Sequence, residues 1–256
     1  MGLLMGNSVR ILGILVLLLG ASWPSAGHAQ DARLLSVPTA DRQLWGEILT
    51  PGGPGPHPGL ILLHGSSGWR PEYLDFAREF ADSGFAVLVL DYYAETGGAA
   101  IGSTEKLQKW EAWRETVRGA ADLLLSLPNV TEDQVALVGL SRGGFLGVSV
   151  AASIPAAAAV VEFSGGGGGG TLTLDEEVRG LPPLLILHGE EDVVVPVSFA
   201  RQLQAAALDA GSHVEMHLFA GEGHVFNAPW AATYSEKAAR RSFGLVVAFL
   251  RSQFNR

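Results

Sequence analysis

The feature that most constrains this chain is an alternation of two hydrophobic periods. Short strand-like runs, most of them wholly apolar, stand at Leu60–Leu63, Phe85–Leu90, Val135–Leu140, Ala156–Phe163, Leu184–Leu187 and Val214–Phe219. Runs of this length bounded by turn signals are what strands buried on both faces require. Between them lie segments of helical period. Pro71 opens one in which Tyr73, Phe76, Ala77, Phe80 and Ala81 share a face and Gly84 closes it. Thr104–Leu127 is a long one, with Trp110, Trp113, Val117, Ala120 and Leu124 inward and Pro128-Asn129 as its stop. Arg142–Ser153, Val197–Ala210 before Gly211, and Ser235–Phe254, with Ala239, Phe243, Val246 and Leu250 inward, complete the set. Gln43–Leu49 adds a strand ahead of the Pro/Gly turn Pro51–Pro58. The expected class is therefore α/β, with a mostly parallel central sheet and helices on both faces. Ligands in such sheets bind at the carboxyl ends of the strands, so the residues just after each strand matter most.

The first 29 residues stand apart. Arg10 is followed by the apolar run Ile11–Gly20 and a small-residue stretch ending in Gly27-His28-Ala29. A charged start, a short apolar stretch and an A-x-A-like site are the layout of a secretory signal peptide. Residues 1–29 are expected to be a signal peptide cleaved near Ala29, and residues 30–256 one catalytic domain, periplasmic or secreted. The apolar run is too short for a comfortable membrane span, so no stable membrane insertion is expected after cleavage. The chain has no cysteine, which excludes disulfides, thiolate metal sites and a cysteine nucleophile. Its net charge of −9, without a Lys/Arg run, argues against nucleic acid as a partner.

The chemistry is read from strand ends. Val135–Leu140 runs into Gly139-Leu140-Ser141-Arg142-Gly143-Gly144, a G-x-S-x-G between strand and helix. That turn is sharp enough to demand glycines at its flanks, and it lifts a serine Oγ above the sheet at a helix N-terminus. Serine needs a base, and His224 stands in the loop after the last strand. The imidazole needs an acid, and Glu190, Glu191 and Asp192 follow Leu184–Leu187. Asp192 is chosen because a short side chain in a tight turn is held most rigidly; Asp91, which precedes the serine, is the runner-up. Ser141, Asp192 and His224 are thus the expected catalytic residues, in the chain order serine–acid–histidine. The N–H groups of Arg142 and Ser66 are the expected oxyanion donors. His64 and His188, each before a glycine at a strand end, are read as loop braces. Trp69, Tyr92, Tyr93, Phe226 and Trp230 fall at the same end of the sheet. Trp69, Tyr92, Phe226 and the Arg142 side chain are the expected substrate contacts. Arg142 has two competing readings: a salt bridge to an acid such as Glu162, or recognition of a substrate carboxylate.

These motifs resemble the dienelactone-hydrolase-like branch of the α/β-hydrolase superfamily. The resemblance rests on residues 62–65, 90–94, 139–144, 187–192 and 223–226, and it spans roughly Leu44 to Phe254. It implies a single-domain hydrolase of the α/β-hydrolase fold with little lid. The chain departs from dienelactone hydrolases proper in having serine where they use cysteine, and His64-Gly65-Ser66 where they keep a glutamate. A serine carboxylic ester hydrolase acting on a small-molecule ester or lactone is therefore expected. A small prolyl-oligopeptidase-like peptidase and a non-catalytic binding protein of the same fold are the rivals. No cofactor and no metal are expected, because H-E-x-x-H, EF-hand and P-loop motifs are missing from the sequence. Gly165–Gly170 spells G-x-G-x-x-G, but Thr171–Leu174 alternates like extended chain instead of opening a helix. A flexible loop at the pocket rim is expected there.

Overall fold

The structure is a computed structural model that describes residues 33–38, 43–99 and 103–254. The signal peptide expected at 1–29 lies outside the described residues. Eight strands form one sheet: β1 (Arg33–Pro38), β2 (Gln43–Leu49), β3 (His57–Leu63), β4 (Ala86–Leu90), β5 (Val130–Leu140), β6 (Ala157–Phe163), β7 (Leu184–Gly189) and β8 (Val214–Phe219). Their spatial order is β1-β2-β4-β3-β5-β6-β7-β8. β1 and β2 form an antiparallel margin, and β3 to β8 are parallel. Among the described residues six helices accompany them: α1 (Glu72–Asp82), α2 (Thr104–Leu125), α3 (Arg142–Ala151), α4 (Leu174–Glu177), α5 (Ser198–Asp209) and α6 (Glu236–Phe254).

Alternation along the strands divides the core into two layers. Ile61, Leu63, Leu137 and Ile186 pack with Trp110, Trp113, Leu146 and Leu203 on the α2, α3 and α5 face. Leu60, Leu62, Val138 and Leu187 pack with Phe76, Phe80, Phe249 and Leu250 on the α1 and α6 face. The buried set of α1 is Tyr73, Phe76, Ala77, Phe80 and Ala81, as its period requires. Helix α6 buries Val246 and Leu250 as expected and packs a half-buried Phe243 on Phe80; Ala238, Ser242, Val247, Phe249 and Gln253 are also buried, while Ala239 is only half-buried.

Two local expectations are corrected. Thr173 caps α4 through its side chain, and Glu176 reaches back to the Thr173 N–H, so this stretch is a capped helical turn rather than extended chain. The glycine run is tied down, not free. Gly165 N–H donates to Glu162 Oε2 (2.6 Å), Gly168 N–H to Glu177 Oε2 (2.6 Å), and Lys106 Nζ to Gly169 O (2.5 Å). The run is made of glycine because α2 and α3 leave no room: a Cβ on Gly170 would stand 1.9 Å from Trp110 Nε1.

Candidate active site

Helix α3 begins directly on the end of β5, and Ser141 at that junction has φ 53° and ψ −116°. An L-residue rarely adopts a positive φ, and a serine is held there only when its surroundings over-determine the turn. They do so through the flanking glycines. A Cβ on Gly139 would lie 2.2 Å from Gly143 O, and one on Gly143 would lie 2.3 Å from Leu63 O. The Ser141 N–H donates to Phe163 O (2.7 Å), fastening the turn to β6.

Asp192 and His224 reach the same point from the ends of β7 and β8. Asp192 Oδ2 lies 2.7 Å from His224 Nδ1, and His224 Nε2 lies 3.0 Å from Ser141 Oγ. An ionised carboxylate only accepts, so Nδ1 carries the proton and Nε2 presents its lone pair to the serine O–H. Asp192 Oδ1 accepts from Val194 N–H (2.9 Å) and Val195 N–H (2.8 Å). Burial alone pushes this carboxyl up; the His224 imidazole and the two N–H groups outweigh it and hold Asp192 below the usual carboxylate range. Thr233 Oγ1 donates to His224 O (2.5 Å), and Val225 N–H donates to Ser164 Oγ (3.0 Å), so the histidine loop is fixed on both sides. A hydroxyl, an imidazole and a buried carboxylate in one line form a path along which a proton can leave the serine.

The cleft around Ser141 is lined by Gly65, Ser66, Ser67, Tyr73, Leu140, Ser141, His224, Val225, Ala228, Trp230 and Ala231. Gly65 N–H is taken by Tyr73 Oη (2.8 Å). Among the described residues no acceptor is hydrogen-bonded to the N–H of Ser66 or Arg142. Those two donors remain open, one in the cleft wall and one at the first residue of α3.

The expected substrate contacts need correction. Tyr92 is buried, donates its hydroxyl to His64 O (2.7 Å) and stacks on the His64 ring. Phe226 is fully buried against Phe219. Trp69 lines a separate groove with Trp45, Glu47 and Asp91. The Arg142 side chain does not pair with Glu162. Its Nη1 donates to Tyr93 Oη (2.6 Å) and Ala99 O (2.7 Å), with Trp113 under the guanidinium at 5.6 Å. Glu162 instead accepts from Gly165 N–H, and burial raises its carboxyl to about 8. His64 Nδ1 donates to Gly65 O and His188 Nε2 to Val195 O, so both histidines hold loops. Sequence reasoning did not find Tyr73, Ser164 or Ala228. Their roles depend on which loops meet, and no local pattern announces that.

Comparison with known proteins agrees with this architecture. The profile of the Dienelactone hydrolase family matches residues 44–254. Acyl-coenzyme A thioesterase 1 of Mus musculus is 31% identical over 156 residues, covering 60% of this chain and 35% of that protein. The chain thus spans about a third of the length of that curated relative. A dienelactone hydrolase-like promiscuous phosphotriesterase from metagenomic libraries superposes with a TM-score of 0.76 at 22% identity, covering 89% of this chain and 99% of the other. Dienelactone hydrolase from Anabaena variabilis superposes with a TM-score of 0.65 at 18% identity, covering 87% and 98%. At these identities the superpositions speak for the fold.

Proposed function

The chain belongs to the dienelactone hydrolase family, and from that premise we propose that it is an exported serine hydrolase cleaving carboxylic esters of small molecules through an acyl-enzyme. The observation that carries the reading is the hydrogen-bonded line Ser141–His224–Asp192, with separations of 3.0 and 2.7 Å. In this reading Ser141 Oγ attacks the ester carbonyl carbon while His224 Nε2 takes the hydroxyl proton. The carbonyl oxygen becomes an oxyanion facing the N–H groups of Ser66 and Arg142. One such donor is worth roughly 3–4 kcal/mol of transition-state stabilisation. Collapse breaks the bond to the leaving oxygen, which receives the proton from Nε2 and departs as the alcohol. Water then repeats the cycle on the acyl-enzyme and releases the acid. Asp192, ionised across the neutral range, fixes the imidazole tautomer and steadies the imidazolium. The same machinery applies to thioesters, the linkage named in the thioesterase relatives.

The reading is tested on the full chain with a fluorophosphonate probe and p-nitrophenyl butyrate. The probe is expected to label Ser141, and Ser141→Ala to lose the label and roughly 10⁶ of the turnover rate. Labelling elsewhere, or undiminished hydrolysis by Ser141→Ala, sinks the assignment. Export rests on the charge, apolar run and small-residue site before Gln30. N-terminal sequencing of the protein made by a secreting host checks it: an intact Met1 start counts against cleavage.

A further inference from the structure

The cleft at Ser141 has a volume of about 200 Å³. One wall is the ring pair Tyr73–Trp230, with centroids 4.7 Å apart. Each ring has a further contact. Tyr73 is buried and its hydroxyl accepts from Gly65 N–H. The Arg70 guanidinium lies over the Trp230 indole at 5.4 Å. Arg70 is itself held by Glu72 through two bonds of 3.0 and 2.9 Å. Leu140, Val225, Ala228 and Ala231 supply further apolar lining.

Charge in the cleft is equally restricted. Among the described residues no Lys, Arg, Asp or Glu lines it. Arg142, beside the nucleophile in sequence, is not among the lining residues: its Nη1 donates to Tyr93 and Ala99, Trp113 lies under the guanidinium, and its Nη2 is buried without a partner. A carboxylate on the acyl group would therefore lose its water with no cation to meet it, which is costly in an apolar cleft.

We infer that the enzyme takes esters of short, uncharged, apolar acyl groups, and that Trp230 sets the upper limit. Long fatty acyl groups and acyl groups ending in a carboxylate are poor substrates. The inference rests on the serine-hydrolase reading above and adds the substrate class to it.

The test uses the full chain, active-site titrated with the fluorophosphonate probe, on p-nitrophenyl acetate, butyrate, hexanoate, octanoate and dodecanoate. The mono-p-nitrophenyl ester of adipic acid is the charged partner of the hexanoate. We expect kcat/KM to peak at butyrate or hexanoate and to fall at least about tenfold by dodecanoate, and the adipate ester to run at least about tenfold below hexanoate. Trp230→Ala is expected to raise the dodecanoate-to-butyrate ratio about tenfold or more, and Trp230→Phe, which keeps a ring, to stay near the parent ratio. A ratio within one enzyme is independent of how much of the variant folds. A peak at octanoate or beyond, an adipate ester as fast as hexanoate, or an unmoved ratio in Trp230→Ala overturns the inference while leaving labelled Ser141 as the nucleophile. A chain that neither labels at Ser141 nor hydrolyses any of these esters overturns the serine-hydrolase reading and the inference with it.

Discussion

Asp192 and Glu162 are two carboxyls at the same end of one sheet, past β7 and near the end of the adjacent β6. Both are hidden from solvent, with 5% and 0% of their surface exposed. Burial acts on both in the same direction, yet Asp192 is held below the usual carboxylate range and Glu162 is raised to about 8. Burial weighs more on Glu162, and the donors differ. Asp192 accepts from His224, Val194 and Val195. Glu162 accepts from Gly165 alone, its Oε1 has no partner, and the neighbouring charge of Asp192 raises it further. Hydrogen bonds to the charged form, together with the less enclosed setting of Asp192, decide which carboxyl ionises. One sheet end thus holds a charged acid that orients an imidazole and a neutral acid that fills the space under the serine turn.

The largest effect that bears on this contrast is expected from Asp192→Asn. The amide cannot stabilise an imidazolium and favours the wrong tautomer, so kcat is expected to fall on the order of 10⁴-fold. Glu190→Gln and Glu191→Gln, at exposed positions, are expected to change kcat little. Steady-state kinetics on one ester settles the comparison, and a comparable loss in Glu191→Gln breaks it.

Glu162 gives the next effect, on stability instead of rate. Below about pH 4.5 the group is protonated in both folded and unfolded chains, and its contribution is fully present. Between about 4.5 and 8 the unfolded chain ionises while the folded one keeps the proton, so stability falls as pH rises, and above 8 the loss is complete. The loss is on the order of 5 kcal/mol. Glu177, raised to about 7 by burial, adds a decline in the same direction that ends lower in pH. Asp192 works oppositely: its contribution is present at neutral pH and is lost as pH falls through its depressed folded value. Urea unfolding from pH 5 to 9 is expected to show the decline, and Glu162→Gln to remove most of it. An equally steep decline in Glu162→Gln would mean that the buried carboxyl is not the source.

Much of this arrangement is legible in the sequence because it is local. The G-x-S-x-G turn, the burial face of α1 and the bounds of β8 follow from spacing and from steric demands within a few residues. Asp192 is legible for the same reason, since its donors Val194 and Val195 lie two and three residues on. Glu162 is not. Its surroundings come from β5, β7 and the glycine run, and a charged residue near a strand end gives no sign of being neutral. Arg142 misleads similarly, because its acceptors Tyr93 and Ala99 are 49 and 43 residues away. The face of α6 is ambiguous because it buries the polar Ser242 and Gln253. β1 pairs with β2 at the margin of the sheet, and its short stretch carries no distinctive period.

The smallest effect concerns the residue that ties the two carboxyl strands to the histidine loop. Ser164 follows β6 with φ 51°, and its N–H donates to Leu187 O of β7 (3.0 Å). Its Oγ accepts from Val225 N–H, and Val225 itself has φ 48°. Ser141, Ser164 and Val225 are the non-glycine residues with positive φ among those described, and all three stand at this end of the sheet. If the hydrogen bond to Val225 is what keeps His224 in line, Ser164→Ala loosens the imidazole although Ser164 itself does not line the cleft. Then kcat falls about tenfold at unchanged KM, and stability by about 1–2 kcal/mol. Ser164→Gly separates this bond from backbone strain. Glycine loses the same acceptor but prefers the left-handed conformation that alanine resists. Both variants are therefore expected to lose the same activity, with Ser164→Gly melting higher than Ser164→Ala. Activity retained in Ser164→Gly and lost in Ser164→Ala would show instead that the conformation of the turn, and not the hydroxyl, positions His224.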